Sequence, residues 1–279
     1  MSGPLSPAVP ATNAAPLRRP RARWGDRLLF GYTWLVLLWL FAPIAVMIAF
    51  GFNDTKSKSN VTWQGFTLKW WGRLGDYPDL TTAVVNSLTI ALLATLITTV
   101  LGTLLGIALG RYRFRGQAAT NLLLFAAISS PELVMGASLL SLFVALGVQT
   151  GFVTIVLAHV LFSVSFVAVT VRARVVGLDG SVEEAARDLG ASTWITFWRV
   201  TFPMILPGVV SGALLALALS IDDFVITQFT SGATITFPLW IYGAVRIGVP
   251  PQVNILGTLI FAVGVVIAVI NTLTSRRRR

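Results

Sequence analysis

The chain has 279 residues, 55% of them apolar and 11% charged, with 21 Lys and Arg against 11 Asp and Glu for a net charge of +10. Soluble domains carry about 25% charged residues, so this composition excludes an ordinary soluble fold and marks a membrane protein. There is no cysteine and one histidine, His159, which excludes disulfides, thiolate metal sites and a histidine-based metal cluster within the chain.

Residues 1–26 are rich in Pro, Ala and small polar residues and contain several arginines. Too few large apolar groups are present to fold alone, and the segment reads as a disordered basic tail. The remainder, 27–279, opens with the apolar run 28–52. At about 25 residues this run is longer than a secretory signal core and long enough to cross a bilayer. Five further spans meet the same criterion, at 82–110, 118–146, 152–175, 206–229 and 253–273. The predicted fold is an all-α membrane protein of six transmembrane helices. Gly102, Gly106, Pro131, Gly136 and Gly212 fall inside the spans. Small residues let membrane helices approach closely, and neighbours satisfy backbone groups freed by proline.

Basic residues set the orientation. The N-terminal tail, Arg111, Arg113, Arg115, Arg172, Arg174, Arg187, Arg199 and residues 276–279 fall on one side of this arrangement. Only Lys56, Lys58, Lys69, Arg73 and Arg246 fall on the other. An excess of Lys and Arg marks the cytoplasmic face, so both termini are expected inside. The net charge is thereby used for topology, and nucleic acid is excluded as a partner.

One loop on that face, 176–205, is longer than a turn requires. Ser181 and Glu184 have the spacing of a capping box, and Gly190 suits a left-handed C-terminal stop. Ser192 can cap a second short helix that Pro203 ends or kinks. The loop therefore reads as helix, glycine turn, helix, with Ala185 and Ala186 giving a smooth face. Two readings are open: an amphipathic helix resting on lipid, or a docking element for another protein. The mixed charges of Glu183, Glu184, Arg187 and Asp188 weaken the first.

Glu132, Asp222 and Asp223 are the only carboxylates inside the predicted spans. A charge at the centre of a membrane helix costs roughly 2.5–3.5 kcal/mol on insertion scales, and such residues are functional candidates. Counted from the cytoplasmic ends, Glu132 and Asp222 lie roughly 21 and 24 Å inward, where fixed negative charge attracts a cation. Adjacent residues on a helix point about 100° apart, so Asp222 and Asp223 cannot face one narrow path equally. The structural alternative is that one caps a helix starting near Phe224 or pairs with a cation of a partner chain. Pro131 can open the backbone beside Glu132. For His159 the simpler reading is a hydrogen-bonded packing residue.

The run Glu184-Ala-Ala-x-x-x-Gly190, followed by Val200-x-Phe-Pro203, resembles the EAA loop of ABC-importer permeases, E-A-A-x3-G-x9-I-x-L-P. Val200 stands in place of the family's Ile and Phe202 in place of its Leu. Asn86-Ser-Leu-Thr-Ile90, Tyr112-Arg-Phe-Arg-Gly116, Ser130-Pro-Glu132, Asp188-Leu-Gly-Ala-Ser192 and Asp222-Asp223 are similar to the spermidine/putrescine branch of those permeases. So are Pro238-Leu-x-Ile-Tyr242, Gly248-Val and Pro251-x-Val-Asn254. Residues 1–25 lie outside the resemblance.

The resemblance implies a type I importer permease fold with a cytoplasmic coupling helix. Glu184, Ala185, Ala186 and Gly190 would seat in an ATPase and transmit its stroke. It implies a second permease, more readily a paralogue than a copy, an ATPase dimer and an extracytoplasmic polyamine-binding protein, all at a bacterial inner membrane. ATP and Mg would be bound by the ATPase, with no cofactor in this chain, which would be no enzyme; no G-x-x-x-x-G-K-[ST] phosphate loop occurs in it. Asp222, Asp223 and Glu132 would line a polyamine path. Trp240 and Tyr242 would be either interface anchors or cation–π partners of the substrate. The competing readings are the same architecture carrying a sugar, metal or anion, and an autonomous channel or secondary carrier.

Overall fold

A computed structural model of the protein describes residues 24–276. The expected tail, 1–26, lies outside the described residues up to residue 23, and its last three residues already belong to the first helix. Among the described residues the chain is helical, and one isolated antiparallel bridge pairs Asn53 with Phe66. Residues 24–50 with 256–276 form one compact unit, and 51–255 form another.

The first unit holds α1, Trp24–Phe50, and most of α11, Pro251–Arg276. Both are predominantly apolar along their length, as a helix crossing hydrocarbon must be. Within this unit Gly257 abuts the Met47 thioether.

The second unit is built on α2, Pro78–Arg111, and α5, Phe152–Val176. Pro78 opens α2, where its missing N–H is no loss. The buried face of α2 runs through Ala83, Ser87, Ala91, Ala94, Thr98, Gly102 and Gly106. These small residues recur every three or four positions, so the helix lies close against α5 and against α8, Phe202–Asp222. Leu88, Leu92, Leu96, Val100 and Leu104 remain exposed on its other side. Val167, Val171 and Val175 of α5 form a core with Ile205, Val209 and Ala216 of α8.

Among the described residues, five helical segments are long and apolar enough to cross a membrane, and a bent pair counts as a sixth if taken as one span. That pair corrects the continuous helix expected over 118–146. It consists of α3, Gln117–Ser129, and α4, Glu132–Ala145, meeting at 110°. Ser130 and Pro131 are both extended, because proline disfavours helical geometry in the residue before it and donates no backbone hydrogen bond. Redirected in this way, α4 packs on α9, Val225–Thr230.

The second expectation to change concerns 206–229, which is not one helix. It divides into α8 and α9 at Asp223, whose backbone is extended at φ −65° and ψ 121°. A further helix, α10, Phe237–Ile247, comes next and is tied to α2. The Asn86 amide donates to the Ile235 carbonyl at 2.9 Å, and the Phe237 N–H donates to Ser87 Oγ at 2.8 Å.

Candidate functional site

The break between α8 and α9 is made by Asp223. Its Oδ1 accepts the Ile226 N–H at 3.3 Å, and its Oδ2 accepts the Thr227 N–H at 2.8 Å and hydroxyl at 2.6 Å. The carboxylate thus satisfies donors that the first turn of α9 would otherwise leave bare. His159 of α5 completes the arrangement. Its Nδ1 lies 2.6 Å from Ser220 Oγ, and its Nε2 lies 3.2 Å from Asp223 Oδ2 and 2.9 Å from Thr227 Oγ1. His159 and Asp223 are buried, so the polar groups satisfy one another in place of water.

Asp222 has the opposite character. It is the last residue of α8 and is exposed. The carboxyl end of a helix carries partial negative charge, so a carboxylate there is repelled by its own helix. The placement concentrates negative potential where a cation would be attracted. The two acids do not point apart from a common helix, as a continuous span would require. One builds the break and the other stands free beside it.

Glu132 begins α4, where a carboxylate is stabilised by the positive helix end. Gly136, four residues on, packs so tightly against Ile226 and the Phe229 ring that a Cβ there would lie 2.7 Å from Phe229 Cδ2. Along the chain, Glu132 and Asp222 therefore stand equally far from the two sides of one contact, Gly136 on Ile226. On α10, Tyr242 approaches the break through Phe224, with ring centroids 4.8 Å apart. The Arg246 guanidinium lies 5.1 Å from the Tyr242 ring centre and donates to its hydroxyl at 3.0 Å. Trp240 is half-buried, edge-on to Tyr77 at 6.5 Å.

The second candidate region is the loop 176–205. Its first helix is α6, Ser181–Asp188. The expected capping box does not form, because Ser181 already lies inside the helix. Asp179 takes the role, accepting the Ser181 N–H at 3.0 Å. That bond holds the exposed Asp179 carboxyl below its usual range. The C-terminal stop forms as the glycine suggests: Gly190 has φ +87°, its N–H donates to the Arg187 carbonyl at 2.9 Å, and Ala191 donates to Ala186 at 3.0 Å.

Ser192 caps α7, Thr193–Thr196, accepting the Ile195 N–H at 3.4 Å. Pro203 does not end the helical path, which continues past it. A π turn over Phe197–Thr201 leads directly into α8, with the Phe202 N–H donating to the Phe197 carbonyl. The wider i to i−5 bonding absorbs the N–H that proline lacks.

Glu184, Ala185 and Gly190 are exposed and Ala186 is half-buried. Beside them a groove of about 320 Å³ runs between α6 and α7, lined by Ala186, Leu189, Gly190, Ile195 and Val200. Leu189 is 90% exposed and Trp194 70% exposed. Glu183 has a role that its sequence neighbours do not signal. Its carboxylate takes Arg111 Nη1 at 3.0 Å and Nη2 at 2.8 Å, and the Thr201 hydroxyl at 2.6 Å. Arg111 is 72 residues away in the chain, and no local pattern could have announced it.

Residues 102–278 match the family described as binding-protein-dependent transport system inner membrane component. The chain is 39% identical over 247 residues to the spermidine/putrescine transport system permease protein PotC of Haemophilus influenzae, covering 88% of this chain and 95% of that one. It is 42% identical over 248 residues to the putrescine transport system permease protein PotI of Escherichia coli, covering 86% of each. Among solved structures, a bacterial ABC transporter involved in import of the polysaccharide alginate superposes with a TM-score of 0.63 at 18% identity, over 92% of this chain and 99% of that one. This last likeness concerns the fold alone.

Proposed function

Because the chain belongs to the binding-protein-dependent transport system inner membrane component family, we propose that it is the permease subunit of an ATP-driven importer of polyamines, spermidine or putrescine. It is a multi-pass membrane subunit that catalyses no reaction of its own. A second permease, a paralogue, completes the path, and an extracytoplasmic binding protein delivers the substrate. An ATPase dimer binds ATP and Mg on the cytoplasmic side, where both termini of this chain lie.

The observation that carries the substrate class is Asp222, an exposed carboxylate at the negative end of α8. Transporters built from interrupted helices use such carboxyl ends to hold cations. A polyamine ammonium supplies the charge that this end lacks. Glu132, at the start of α4, supplies a second carboxylate for a substrate with two or more charges. Asp223 and His159 hold the break open so that the carbonyl end of α8 stays free. Trp240 and Tyr242 of α10 flank the approach. The Arg246 guanidinium on the Tyr242 ring and hydroxyl fixes the position of that ring.

On the cytoplasmic side α6 is the coupling element. Glu184, Ala185, Ala186 and Gly190 enter the ATPase together with the exposed Leu189 and Trp194. An alternating movement of the ATPase pair would then open the path to one side of the membrane at a time.

The test is radiolabelled spermidine and putrescine uptake into proteoliposomes holding the assembled permease pair and ATPase. Uptake that requires ATP and binding protein, and that excess polyamine but not sugar or anion suppresses, supports this reading. ATP-independent flux through this chain alone would replace it with a channel or carrier.

A further inference from the structure

The Arg111–Glu183 pair joins two elements that the coupling reading keeps separate. Arg111 is the last residue of α2 and Glu183 lies in the first turn of α6. Their bond is bidentate, each terminal guanidinium nitrogen donating to its own carboxylate oxygen. Such a fork fixes orientation as well as distance. Thr201, at the end of the π turn that leads into α8, donates to the same carboxylate. One side chain of α6 therefore ties together the ends of two membrane helices.

The far end of α2 is tied as well. Asn86 and Ser87 hold Ile235 and Phe237, the segment that starts α10 and carries Trp240 and Tyr242. From Ser87 to Arg111 the helix rises roughly 36 Å at 1.5 Å per residue. Between these ends α2 is continuous and contains no proline after its first turn. Its small residues lie tight on α5, with Gly106 so close that a Cβ would meet the Ala168 carbonyl oxygen at 2.8 Å. A helix clamped at both ends and in close contact with α5 through Gly102, Gly106 and Gly110 moves as a unit.

We infer that α2 is a strut that relays the displacement of α6 to the segment opening α10, with Arg111, Glu183 and Thr201 as its cytoplasmic joint. This rests on α6 being the coupling element. These three are positioning residues: they touch neither substrate nor nucleotide, and they act by making α2 and α8 follow α6. Glu184 and Glu183 then divide the work, the exposed carboxylate facing the ATPase and the half-buried one facing the membrane helices.

The test uses the complete transporter in proteoliposomes and reads polyamine imported per ATP hydrolysed, with co-purification of the ATPase as a separate readout. Glu183→Gln keeps the size and loses the charge; Arg111→Met loses the fork. Each is expected to lower the import-to-hydrolysis ratio by about fivefold to tenfold, with ATPase co-purification unchanged. Thr201→Val removes one hydrogen bond and no charge, leaves a foldable chain, and should give a smaller loss in the same direction. The exchanged pair Arg111→Glu/Glu183→Arg should recover part of the ratio, because the two charges can pair again.

A wild-type ratio in Glu183→Gln and Thr201→Val would overturn the strut. So would loss of ATPase co-purification in Glu183→Gln, since Glu183 would then only shape the docking surface. A bulky Ala185→Trp tests the underlying reading by itself. If it leaves the ATPase bound, α6 is not the coupling element, whatever the ratio in the other variants.

Discussion

His159 Nε2 and Asp223 Oδ2 meet at 3.2 Å across 64 residues of sequence, in the buried interior between α5 and the α8–α9 break. Neither residue explains the other in isolation. A lone intramembrane histidine and one of two adjacent acids become, together with Ser220 and Thr227, the polar joint that lets a membrane span stop and restart. The consequence falls on the neighbour, Asp222, which is left exposed at the carboxyl end of α8.

The two acids should therefore separate experimentally. Asp222→Asn is expected to cut polyamine uptake by about tenfold or more while leaving thermal stability in detergent unchanged. Asp223→Ala should lower the unfolding midpoint, because loss of a helix cap costs about 0.5–2 kcal/mol. Equal stability losses in both variants would contradict the division.

His159→Phe fills the volume but removes both ring nitrogens. Ser220, Asp223 and Thr227 then lose a partner in a dry site, a change of about 1–3 kcal/mol. The expected result is a lower yield of folded protein and a lower unfolding midpoint. His159→Gln, which keeps polar atoms in the site, should lose less.

Gly106→Val places side-chain atoms into the backbone of α5, where even a Cβ would lie 2.8 Å from the Ala168 carbonyl oxygen and 3.0 Å from the Arg172 nitrogen. Backbone cannot rotate away, and overpacking typically costs about 1–3 kcal/mol. Size-exclusion profiles should show aggregated or absent protein, whereas Leu96→Val on the exposed side of α2 should be tolerated.

Gly190→Val acts differently, because open space surrounds that position. The penalty comes from φ +87°, a left-handed backbone that costs an L-residue roughly 1–2 kcal/mol. The end of α6 should fray, and the ATPase should co-purify less well. The membrane-embedded part should fold as before, judged by an unchanged elution profile in detergent.

The sequence by itself determined the apolar character and approximate positions of the membrane-length segments, because a bilayer imposes a length and a composition on each helix regardless of its neighbours. It also determined the glycine turn at Gly190 and the cap at Ser192, since both depend on residues within a few positions of one another. The EAA spacing belongs to the same class, a local pattern on one loop.

Tertiary structure decided what depends on distant partners. The 110° bend at Pro131 has a local signal, but the packing of Gly136 on Ile226 and Phe229 joins distant segments. Likewise, the cap that Asp223 gives to Ile226 and Thr227 is local, as the sequence allowed, but its tie to His159 of α5 is not, and Glu183 turned inward only because Arg111 ends α2 beside it. A carboxylate's role is set by the partners it meets, and the distant ones, His159 for Asp223 and Arg111 for Glu183, leave no mark in local spacing.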